Sequence, residues 1–151
     1  MKSIQYTLLL AALFITGNAD GQLWKEYADS AKVYTDKKII GKAIEFYSKA
    51  KEELGKDSLG TGNYAKVCHL LGVLFYGKRQ YKEAEALYLE AKQIREKVLG
   101  KESLDYVTTS DYLAFLYEDL AQYEKAEMLY LEVKQLRQKL LGKSHTHYAN
   151  A

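Results

Sequence analysis

The sequence predicts an all-α chain, built as a solenoid of antiparallel helix pairs. Three observations carry this. The chain repeats itself: Tyr64 to Lys101 and Tyr106 to Lys143 align without a gap at an offset of 42 residues. Tyr81, Ala84, Glu85, Leu87, Tyr88, Leu89 and Glu90 recur as Tyr123, Ala126, Glu127, Leu129, Tyr130, Leu131 and Glu132. Lys92, Gln93, Arg95, Lys97, Leu99 and Gly100 recur as Lys134, Gln135, Arg137, Lys139, Leu141 and Gly142. A period of this length means stacked supersecondary units, each burying its apolar face only against its neighbours. Helical spacing of apolar residues runs almost to the end of the chain, while strand-type alternation is scarce. There is no proline to interrupt helices.

The first 21 residues are a different text. Met1-Lys2 is a short basic start, Tyr6 to Thr16 is an apolar run of 11 residues, and Gly17 to Gln22 supplies small residues. This is the layout of a secretory signal peptide. The run is well short of the roughly 18 residues that span a bilayer, so no stable membrane anchor is expected after cleavage. Cleavage after Ala19 or after Gly21 satisfies the small-residue rule; the second is preferred and leaves Gln22 first. The alternative is a buried N-terminal helix of the fold. No cysteine lies near the site for lipidation, and Cys68, the one cysteine, excludes an intramolecular disulfide.

Beyond residue 22 the elements follow in order. Leu23 to Thr35 carries Trp24, Tyr27, Ala28, Ala31 and Tyr34 at helical spacing, and a polar break follows at Asp36-Lys37-Lys38. Ile40 to Leu54 places Ile40, Ala43, Ile44, Tyr47, Ala50 and Leu54 on one stripe, with Gly55 where a left-handed C-cap is wanted. Residues 57–63 read as a loop. Two further pairs run over about 64–77 with 81–99 and 104–119 with 123–141. Leu54-Gly55-Lys56, Leu99-Gly100-Lys101 and Leu141-Gly142-Lys143 read as matching helix ends. Ser103 is placed to cap the next helix, Asp105 suits its dipole, and Thr61 takes the capping role one repeat earlier. Connections of a few residues make each pair antiparallel.

Within each unit, helix A then helix B, small residues are as regular as large ones. Ala31, Gly72 and Ala114 share a slot on helix A; Ala43, Ala84 and Ala126 share one on helix B, and Ala50, Ala91 and Val133 another. Tyr34, Phe75 and Tyr117 on helix A, and Tyr47, Tyr88 and Tyr130 on helix B, fill the space that remains. Each buried ring contributes about 1.5–3 kcal/mol. The pattern Leu71-Gly72-x-x-Phe75, Tyr81-x-x-Ala84-x-x-x-Tyr88-x-x-Ala91 resembles a tetratricopeptide repeat. Leu113-Ala114-x-x-Tyr117, Tyr123-x-x-Ala126-x-x-x-Tyr130-x-x-Val133 repeats it, and Ala31-x-x-Tyr34, Ile40-x-x-Ala43-x-x-x-Tyr47-x-x-Ala50 is a divergent first copy. The 42-residue spacing resembles the longer, kinesin-light-chain-like subclass in its exported bacterial form. The resemblance implies a right-handed solenoid and a division into a signal peptide at 1–21, repeats at 22–60, 61–102 and 103–144, and the start of a fourth at 145–151. Two departures stand out. Leu104 and Thr146 occupy the place of a His-Pro-Asp-like helix start. Leu70 and Tyr112 occupy the place of the subclass's peptide-clamping Asn.

The resemblance also implies where a partner sits. The concave side of helix A would carry Lys25, Ala28 and Lys32 in the first repeat, and Lys66, His69, Val73 and Tyr76 in the second. In the third it would carry Thr108, Asp111, Tyr112, Phe115 and Glu118. Such a groove passes from basic through aromatic to acidic, and fits a peptide with acidic and apolar anchors. The competing reading is that the charges are solvated surface and the aromatics pack between units. Other chemistry is thin. Cys68 and His69 are neighbours about 100° apart on a helix and cannot form a dyad. Cys68 aligns with Ser110 at a packing slot. His145 and His147 lack the company of a metal site. Glu90, Lys92, Glu132 and Lys134 read as a solvated convex face with helical ion pairs. No nucleotide-binding loop, nucleophile motif or paired catalytic carboxylates occur, and no cofactor is expected. Net charge of +2 without a basic run argues against nucleic acid.

The expectation is therefore a non-enzymatic exported scaffold, periplasmic or secreted, that binds a protein or peptide. The alternative is the N-terminal regulatory array of a larger effector, such as a caspase-like protease of the CHAT type, which similar arrays precede. A third is a structural assembly in which the C-terminal repeat face pairs with another copy.

Overall fold

The computed structural model describes the backbone of residues 22–57 and 61–149, and side chains over 22–55 and 61–142. The apolar run and the cleavage sites lie outside the residues so described, as do the side chains of His145 and His147. Six helices follow one another among them: α1 (Leu23–Asp36), α2 (Ile40–Asp57), α3 (Gly62–Gly77), α4 (Tyr81–Leu99), α5 (Leu104–Asp119) and α6 (Tyr123–Ala149). No described helix is long and apolar enough to cross a membrane.

The chain divides into two compact units, one ending at Glu53 and one beginning at Leu54. In the first, α1 and α2 pack through rings. Phe46 stacks on Tyr34 at 5.3 Å and lies 6.2 Å from Tyr27. Lys42 and Lys49 stand over Tyr34 and Phe46. Ala31 and Ala43, the small slots, are fully buried.

In the second unit α3 pairs with α4, α5 with α6, and α5 packs on α4. The core runs through both pairs: Ala84, Tyr88, Leu113, Leu116, Tyr117 and Ala126 form one cluster, and Val73, Tyr76, Tyr112 and Tyr130 pack against it. Tyr106, Val107, Val133 and Leu136 form another. Thr61 and Ser103 cap α3 and α5 as expected, each hydroxyl accepting from the N–H three residues on at 3.3 Å. Ser103 also donates to the Gly100 carbonyl, which ties the end of α4 to the start of α5.

All three turns between helices A and B are built alike. Lys38, Arg79 and Ala121 take the left-handed conformation, at φ 58°, 59° and 55°. The following N–H reaches back five residues, from Ile39 to Tyr34, Gln80 to Phe75 and Gln122 to Tyr117, at 2.8–2.9 Å. The left-handed residue itself bonds three residues back, to Thr35, Tyr76 and Glu118. This is a Schellman end, normally built on glycine.

The expected glycine ends are corrected at two of three places. Gly100 closes α4 at φ 79°. Gly55 lies inside α2, which runs to Asp57, and Gly142 lies inside α6, which runs to Ala149. A glycine within a helix costs only about 1 kcal/mol, which neighbouring turns offset. At Gly100 the helix ends because Ser103 captures its carbonyl and opens the next helix.

Candidate functional site

The helix A positions expected to line a groove divide sharply. Lys25 and Lys32 are exposed on α1, with Ala28 half-buried. On α3, Lys66 is exposed, but His69 is buried at 8% exposure. Its ring lies 5.1 Å from Tyr112, edge to face, and 5.7 Å from Tyr88. Tyr112 in turn lies 5.9 Å from Tyr88. These rings therefore pack between α3, α4 and α5, the outcome that competed with a groove lining. Val73 and Tyr76 are half-buried against the same core.

Under the rings lies a polar network that periodicity did not indicate. Arg95, 4% exposed, donates to the Asp105 carbonyl at 2.7 Å and to Thr109 Oγ1. Thr109 donates to the same carbonyl at 3.0 Å, and its oxygen stands 3.4 Å from His69 Nδ1. Burial, reinforced by the Arg95 charge and opposed by Asp105, pushes the His69 pKa down to about 4. His69 is thus neutral near pH 7. Cys68 is fully buried with its thiol 3.5 Å from a Glu90 oxygen, so Cys68 and His69 face different partners.

On α5 the acidic positions are already engaged. Asp111 is paired with Arg137, and Glu118 accepts from the Tyr130 phenol at 2.7 Å. Thr108 is exposed and turns its hydroxyl back to the Leu104 carbonyl. Phe115 is the exception: it stays 48% exposed, its ring set edge-on to Tyr130 at 5.7 Å.

The expected solvated convex face is corrected at Glu90, Lys92 and Glu132, while Lys134 is exposed as expected. Tyr64 donates to Glu90 and, one period later, Tyr106 donates to Glu132, both at 2.8 Å. Glu132 further accepts from Lys92 at 3.1 Å. Burial opposes ionisation of Glu132, yet Tyr106, Lys92 and Lys101 together hold its carboxyl below the usual range. Between repeats, Tyr76 donates to Asp119 at 2.7 Å and Tyr117 to Glu85 at 2.9 Å. The Asp119 bond, with burial, pushes the Tyr76 phenol up to about 12; burial, then Glu85, does the same for Tyr117. The abundance of tyrosine thus has a structural use. Each such ring fills a slot between helices while its hydroxyl binds a carboxylate on another helix.

The repeating slots, the shared Schellman turns and the interlocked helix pairs define an all-α solenoid of tetratricopeptide type. A family model described as "Tetratricopeptide repeat" matches residues 64–139. The chain belongs to the tetratricopeptide repeat family. Among solved structures it is similar to BtubC (BKLC) from P. vanneervenii, with a TM-score of 0.82 at 23% identity over 92% of this chain and 55% of that one. It is also similar to a candidate kinesin light chain with nearly identical TPR-like repeats from Podosopora anserina. A single-substitution form of that protein gives a TM-score of 0.70 at 19% identity, and a second structure gives 0.69 at 18%, each over 82% of this chain and 58% of that one. The chain thus spans 55–58% of the length of these structures. Among curated proteins none matches.

Proposed function

We propose that the chain is a non-enzymatic scaffold that binds a protein or peptide through its helix A residues. The exposed ring of Phe115 carries this reading: a large aromatic left open on a helix otherwise packed by aromatic slots is the kind of anchor a partner desolvates. Lys66, exposed on the preceding helix A, supplies the cation that an acidic anchor needs. His69 and Tyr112 are positioning residues in this reading, since they hold α3 and α5 together beneath the surface. Selection of displayed peptides on the full chain tests it. Enriched peptides should combine acidic and apolar residues. Phe115→Ala should weaken them about tenfold or more, the loss of one buried aromatic anchor, while leaving the melting temperature unchanged. Binding indifferent to both Phe115→Ala and Lys66→Glu overturns the reading.

Export belongs to the same proposal and rests on the basic start and 11-residue apolar run. Amino-terminal sequencing of the chain from the periplasmic or secreted fraction should begin at Gln22. Recovery only in the cytosol, with Met1 retained, overturns it.

A further inference from the structure

We draw no further inference here: the strongest candidate, the apolar groove of about 340 Å³ between α4 and α6 with Leu89 and Met128 exposed along it, has both its lysines engaged, Lys92 with Glu132 and Lys125 over the Tyr117 ring, and nothing in the structure shows what covers it.

Discussion

A Cβ placed on Gly72 would stand 2.6 Å from Cε1 of Tyr88 and 2.7 Å from its Cδ1. No real Cβ tolerates that approach, so the glycine sets how closely α3 lies on α4. The Tyr88 ring is fully buried and flanked by His69 and Tyr112, which leaves it nowhere to move. Gly72→Ala gains about 1 kcal/mol of helix propensity but overpacks a filled site, which costs about 1–3 kcal/mol. The helix pair should lose up to about 2 kcal/mol net. Urea unfolding measures this; a variant more stable than the parent shows that α3 rides freely on the ring.

Tyr88 and Tyr106 should respond in opposite directions to loss of their hydroxyls. The Tyr106 phenol donates to Glu132 at 2.8 Å, so Tyr106→Phe removes a hydrogen bond to a charged group and should cost about 1.5–3 kcal/mol. Tyr88 Oη is buried with no partner among the described residues. Burying an unbonded hydroxyl costs about 1–3 kcal/mol, so Tyr88→Phe should raise stability by about 1 kcal/mol. Thermal unfolding of the two variants side by side separates them. Equal effects in the same direction would show that the hydroxyls, bonded or not, are immaterial.

The pH dependence should carry the mark of His69. Its folded pKa of about 4 lies below the ordinary histidine value because the buried ring, beside Arg95, resists a second charge. The unfolded chain therefore takes up the proton first as pH falls. Stability from the neutral ring is fully present above about pH 6.5 and is lost as pH falls through the folded value near 4. The loss amounts to about 3 kcal/mol once pH is below both values. Carboxylates titrate in the same range, so the comparison with His69→Gln isolates it. The difference in unfolding free energy between parent and variant should shrink as pH falls from 7 to 4. A difference that does not change with pH removes His69 from the acid response.

Much of this architecture is legible in the sequence because it repeats. A slot seen three times, as at Ala43, Ala84 and Ala126, fixes both the helix and the face it buries. The Ser103 and Thr61 caps are legible for the same reason: a hydroxyl three residues before a recurrent tyrosine has one obvious use. What escapes is whatever depends on the neighbouring unit. Arg95 aligns with exposed Arg137 and with Leu54, so periodicity cannot show that α5 closes over it. His69, Tyr112 and Glu90 share their helical faces with exposed residues, and only the seat of the next helix decides which are covered. Gly55 and Gly142 failed as helix ends because the helical backbone runs on past both, to Asp57 and Ala149, whereas at Gly100 Ser103 captures the carbonyl.

The turns offer a stabilising change that leaves every packed residue in place. Ala121 sits at φ 55° between α5 and α6, in a region that costs an L-residue with a Cβ about 1–2 kcal/mol. Its N–H bonds the Glu118 carbonyl at 2.9 Å, and the next N–H, of Gln122, bonds Tyr117 at 2.8 Å; both are backbone bonds that glycine keeps. Glycine gives back about 0.4–1 kcal/mol through the greater freedom of the unfolded chain. Ala121→Gly should therefore stabilise by about 0.5–1 kcal/mol, and Lys38→Gly and Arg79→Gly, in the same conformation, should act in the same direction. Differential scanning calorimetry of the three single variants checks this. A lowered melting temperature at Ala121 would show that its methyl group contributes packing that outweighs the backbone strain.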